Sequence, residues 1–224
     1  MFNVFELLFI LSLDDESGGI NRKTIHTLEA TIAGAILAEL ALQNRIQLLE
    51  HRVVIMNQDP TDHPILDKVI FDISDTAGTR KLKYWINTLI YKKYPEEIGH
   101  HLVMRGVLLR KKERLYPIIP YGENSDGNPC VKYRLKNNLR EIILADRQPD
   151  LSEKVLLIFL YHGKMLKLIF THDERWFAQK RINKLVTNNE GVGFLSDTLD
   201  EIVTIACEIH PKGSCIHGAI ARTS

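Results

Sequence analysis

Apolar positions along this chain cluster into runs whose spacing announces helices. The most informative run is Thr31 to Leu48, TIAGAILAELALQNRIQL, whose first twelve residues are apolar or small on every face except at Glu39. A helix of that kind belongs in a protein core or a membrane. Spanning a bilayer takes about 20 apolar residues, and Glu39, Asn44 and Arg45 interrupt this stretch, so the pattern predicts a buried central helix. Gly34 and the neighbouring alanines predict close approach of other helices. The opening run MFNVFELLFILSL has no basic residue ahead of it, contains Glu6 and leads into Asp14, Asp15 and Glu16. It lacks the layout of a secretion signal and is expected to pack on the core as a helix or a helix-strand pair.

The remaining elements follow in order. Thr24 or Thr27 is placed to cap the central helix. Ile46 to Leu48 and Val53 to Met56 flank Glu50-His51-Arg52 as two short strands and a tight turn. The loop 59–64 is dense in turn formers. Ile65, Leu66, Val69, Ile70 and Ile73 share one helical face, and Leu82, Trp85, Ile86, Leu89 and Ile90 share another after a polar connector at 74–79. A helix starting near Pro95 carries Ile98, Leu102 and Val103 and stops at Gly106. Val107 to Leu109 and Leu115 to Ile119 then enclose Arg110-Lys111-Lys112-Glu113-Arg114, a hairpin with a basic tip, before a long loop from Gly122 to Pro129.

The second half reads as helical. Tyr133 to Leu144 is amphipathic, Asp150 and Glu153 form a capping-box pair, Val155 to Tyr161 is apolar, and His162-Gly163 breaks it. Met165 to Phe170 continue an apolar face, 174–186 is a basic amphipathic helix, and a last helix covers 195–209. The expected class is mainly α: a central bundle of apolar helices ringed by amphipathic ones, with short β-hairpins including a protruding hydrophobic and basic one. One domain over 1–224 is expected, divisible into lobes at 1–145 and 146–210 with a tail at 211–224.

The 224 residues are 45% hydrophobic and 25% charged, with a net charge of +1, so the average charge gives no argument for a polyanionic partner. Local charge does. Between Arg80 and Arg114 ten Lys or Arg stand against three Glu, a local +7. Basic residues at an anionic bilayer contribute about 1 kcal/mol each, and Leu115, Tyr116, Ile118 and Ile119 are candidates for bilayer insertion beside them. Lys92 and Lys93, at the mouth of the Pro95 helix, are placed to hold an anionic headgroup with the free N–H groups of its first turn. A solvated basic face, with the hairpin packed on its own domain or on a second subunit in a homo-oligomer, is the competing reading. A winged-helix-like nucleic-acid binder is a further alternative, because the same cations would meet phosphates; an enzyme with an unrecognised site around Glu39 or the histidines is a weaker one.

Cys207, His210, Cys215 and His217 supply a tetrahedral zinc set in chemistry, although their spacing matches no common finger and no metal is expected. The three cysteines, an odd number, suit a reducing compartment. His100 and His101, adjacent on a helix, are expected at the surface or its boundary and pointing apart; His162 is expected as a buried hydrogen-bonding group. Glu39 must find donors for a carboxylate in an apolar stripe. The phosphate-binding, nucleotide-binding and hydrolase signatures are absent from the sequence.

The words AGAILAELALQNRIQL (33–48), DPTDHPILDKVI (59–70), YWINTL (84–89), LVMRGVL (102–108), LRKKERLYPI (109–118), YRLKNNLREIIL (133–144) and QKRINKLV (179–186) together resemble the Golgi phosphoprotein 3 family. The resemblance implies a mostly helical domain with a hydrophobic hairpin that inserts into membrane beside a pocket for phosphatidylinositol 4-phosphate. It also implies a non-enzymatic, peripheral, cytoplasmic protein without cofactor, which recruits a membrane protein partner. The pocket of the eukaryotic relatives uses a tryptophan and three arginines. Counting from the ELAL word, those positions are Thr24, Ala33, Lys92 and Pro95 here. The missing acidic extension favours a bacterial-type member. Headgroup contacts are therefore expected from Lys92, Lys93, Arg110, Lys111, Lys112 and Arg114.

Overall fold

The apolar run becomes α2 (Leu28–Leu42), buried from Ala30 to Ala41 on all sides. It packs against α1 (Val4–Ser12), α4 (Leu82–Tyr91), α5 (Tyr94–Met104), α7 (Leu151–His162) and α9 (Gly193–Glu208). Gly34 sets the distance to two of them: a Cβ there would lie 2.6 Å from the Ala206 Cβ of α9 and 2.9 Å from the Phe159 ring of α7. The computed structural model describes residues 2–22, 24–117, 130–187 and 193–209. The Gly122 to Pro129 loop lies outside them, as do Ile118 and Ile119 of the hairpin and His210, Cys215 and His217 of the zinc set; Cys207 falls on α9.

α2 stops at Leu42, ahead of the strand expected from Ile46. Asn44 adopts a left-handed conformation (φ 53°), the Arg45 N–H donates to the Leu40 carbonyl and the Asn44 N–H to that of Ala41. That pair of bonds is a Schellman stop with Asn in the position glycine usually takes. The chain then enters β1 (Ile46–Leu49) and β2 (Arg52–Ile55), antiparallel, joined by Glu50 and His51, both with positive φ as a two-residue turn demands. β3 (Arg80–Lys81) adds to β2 on its other edge; it is two exposed basic residues long, and no alternation announces it. α3 (Pro64–Asp75) lies between β2 and β3 in the chain, buries Ile65, Leu66, Val69, Ile70 and Ile73 as expected, and takes His63 as N-cap.

β4 (Leu108–Lys111) and β5 (Arg114–Pro117) form the second antiparallel pair, with Lys112 and Glu113 at its turn. α6 (Val131–Leu144) follows, then α7, whose capping box is formed as predicted: the Glu153 N–H donates to Asp150 at 2.8 Å and the Asp150 N–H to Glu153 at 3.0 Å. A short 3-10 turn (Leu166–Leu168) leads into α8 (His172–Thr187), which packs on α6 and α7. His162 differs from expectation. It is the last residue of α7 and keeps an exposed surface, although the protein around its ring, Tyr161 included, desolvates it enough to lower its pKa. Among the described residues no helix is long and apolar enough to cross a membrane.

Candidate functional site

The hairpin sits on the turn that joins α1 to α2. The Leu115 N–H donates to the Gly18 carbonyl at 2.8 Å and the Tyr116 hydroxyl to the Ser17 carbonyl at 3.2 Å. Gly18 has φ +62°, and the Tyr116 ring occupies the space where a side chain on it would go. Leu115 packs on Gly99 of α5, beside Phe9. These contacts leave Leu115 and Tyr116 half-buried and Leu108 buried, whereas Leu109 is exposed. Arg110, Lys111, Lys112, Glu113 and Arg114 are all exposed, and the Lys111 ammonium lies 5.8 Å from the Tyr116 ring centroid.

Lys92 and Lys93 stand where the sequence puts them, in the short link between α4 and α5. Lys93 is the N-cap of α5, in a left-handed conformation, and exposed. The Lys92 ammonium is ion-paired with Asp72 of α3. Glu96 and Glu97 occupy the first turn of α5, where carboxylates compensate the helix dipole that would otherwise attract an anion. Thr24 and Ala33, at the positions corresponding to the relatives' tryptophan and arginine, are buried. The Thr24 hydroxyl donates to the Asn21 carbonyl at 2.9 Å, and Ala33 is part of the α2 core.

Beneath this surface is a cluster that residue-by-residue reading did not assemble. Glu6 of α1 is fully buried. Its carboxylate accepts from Arg105 Nη1 at 2.8 and 3.1 Å and from the Asn3 N–H at 3.0 Å, and it lies 3.4 Å from His63 Nε2 and 3.3 Å from His101 Nδ1. Burial alone would raise the carboxyl's pKa. The His63 bond, the Asn3 amide and the Arg105 charge overcome it and hold it at about 2. The His63 and His101 rings meet edge-on at 4.3 Å between centroids, and burial, aided by the neighbouring His63, lowers the pKa of His101. The available signal was Glu6 itself, a carboxylate in an apolar run, the same anomaly that marked Glu39.

Two imidazoles and a carboxylate with ligand atoms within 4.8 Å of one another resemble a metal site in composition. The hydrogen bonds oppose that use. The Ile65 N–H donates to His63 Nδ1 at 3.2 Å, so the neutral ring carries its proton on Nε2, the atom that faces Glu6. A metal on Nε2 would need the opposite tautomer. Arg105 already supplies the cation. The cluster ties α1, the start of α3 and α5 together, and the groove outside it, about 440 Å³, is lined by Ile65, Lys68, Glu97, His101 and Met104 among others.

Fold and site together define a mainly helical domain with a cationic two-stranded hairpin docked on its first helical connection. The chain belongs to the Golgi phosphoprotein 3 (GPP34) family, whose model matches residues 5–203. Membership is consistent with a phosphoinositide-binding module.

Proposed function

We propose that this protein is a non-enzymatic peripheral membrane module that holds anionic phospholipid headgroups at the tip of the β4–β5 hairpin. The observation that carries the reading is the run Arg110, Lys111, Lys112 and Arg114, four exposed cations in five residues on a hairpin with a fixed seat. With Glu113 the tip carries a net +3, worth about 3 kcal/mol at an anionic surface by the usual increment per charge. Leu109 provides exposed apolar area beside it. Lys93 and Lys92 lie at the other end of α5 and are secondary contacts. The paired state of Lys92 and the acidic first turn of α5 shift the weight of the site onto the hairpin.

Flotation with phosphatidylcholine vesicles, with and without phosphatidylserine or a phosphoinositide, tests this directly. The expected result is co-flotation that requires the acidic lipid, weakens with added salt and is lost in Arg110→Glu, Lys112→Glu. Binding unaffected by that pair would overturn the hairpin site. A DNA mobility shift run in parallel addresses the nucleic-acid alternative; a shift without flotation would replace the membrane reading, and binding to neither would leave a protein-interaction role.

A further inference from the structure

Helix α8 turns two aromatic rings to solvent: Trp176 is 68% exposed and Phe177 46%. At about 100° of rotation per residue, Lys180 lies between them in angle and one turn further on. Its ammonium is 5.4 Å from the Trp176 ring centroid. Asp173, Asn183 and Lys184 complete the exposed arc. The opposite side of the helix is settled. Ala178 and Ile182 are buried, Glu174 receives Arg140 at 2.6 and 2.8 Å, and Arg181 pairs with Asp146.

The Glu174 and Arg181 charges are thus paired within the fold, and the exposed arc presents two rings with Lys180 between them in angle. A ring of indole with an ammonium over its face suits the headgroup layer of a bilayer, where the ring reaches the acyl boundary and the ammonium stays with the phosphates. The charge suits an anionic surface: among the described exposed residues of this arc, Lys180 and Lys184 outnumber Asp173. We infer that α8 is a second membrane contact, with Trp176 and Phe177 entering the headgroup region of an anionic bilayer and Lys180 at its phosphates. This rests on the membrane reading of the hairpin and adds a surface to it.

The chain contains two tryptophans, and Trp85 is 2% exposed, so Trp176 reports on its own surroundings. The parent chain is mixed with phosphatidylcholine vesicles containing phosphatidylglycerol, with and without brominated acyl chains. Emission is expected to shift to the blue and to be quenched by the brominated lipid, and both responses disappear in Trp176→Phe. Lys180→Glu is expected to weaken vesicle binding about fivefold or more. Flotation without shift or quenching would overturn the α8 contact and leave the hairpin reading intact. Failure of the parent chain to float would overturn both. A blue shift that grows with protein concentration in the absence of vesicles would assign the face to a second copy of the chain and overturn the inference.

Discussion

Glu39 Oε2 on the central helix accepts the backbone N–H of Val4 at 2.9 Å, so α2 caps the first turn of α1 from outside it. The other carboxylate oxygen accepts from Gln43 Nε2 at 3.2 Å. Glu39→Ala leaves a buried N–H without an acceptor and is expected to cost about 1–3 kcal/mol. Glu39→Gln keeps an oxygen in reach and costs less. Urea denaturation of the two variants measures both, and equal losses would show that the negative charge rather than the acceptor matters.

Glu6 is expected to contribute to the acid sensitivity of the fold. Its folded pKa, about 2, is below its ordinary value of 4.5. A depressed carboxyl contributes stability that is present above 4.5 and is lost as pH falls from there through about 2. The difference corresponds to about 3 kcal/mol. Glu6→Ala, which removes the buried acceptor shared by Arg105 and the Asn3 amide, is expected to cost about 1–3 kcal/mol at neutral pH and to flatten the acid limb of a stability profile measured by denaturant titration.

His101 acts at a higher pH and with its own sign. Its folded pKa lies below 6.5, chiefly through burial. The neutral ring is the folded form, so its contribution is complete above 6.5 and declines as pH falls below it. His101→Gln is expected to remove part of the loss of stability seen on moving from neutral to mildly acidic solution. An unchanged pH slope in the variant would place the titration elsewhere.

The seat of the hairpin is open to a single-residue test. Gly18→Ala places a methyl group into the Tyr116 ring at a backbone with φ +62°, a conformation that costs an L-residue about 1–2 kcal/mol before any clash. Hydrogen exchange of the Leu115 amide, which donates to Gly18, is expected to speed up, with helix content unchanged by circular dichroism.

Much of the architecture was legible because it is local. The helix faces of α3 and α4, the capping box at Asp150 and the stop at Gly106 each depend on residues within a few positions of one another, and each is found as predicted. The strand from Ile46 was foreseen, whereas the stop just ahead of it was not signalled, because Asn44 performs what glycine usually does. β3 left no trace because two residues carry no period. The Glu6 cluster was hidden for a different reason: its members stand at positions 6, 63, 101 and 105, and only the packing of α1, α5 and the start of α3 brings them within hydrogen-bonding distance. The hairpin tip was readable as charge, but its seat on Gly18 and Gly99 was not, since both glycines carry no side chain that would predict a partner.

The contact of Gly34 with Ala206 also sets a clock on synthesis. The two residues are 172 positions apart, and translation at roughly 5–20 residues per second separates their emergence by roughly 9 to 34 s. During that interval the nascent chain already contains the central helix, and α9, one of the two helices that close on Gly34, has not been made. The small side chains that let the finished helices touch leave that strip without its α9 partner until the end of synthesis, so the core around α2 closes only when the C-terminal helix has emerged.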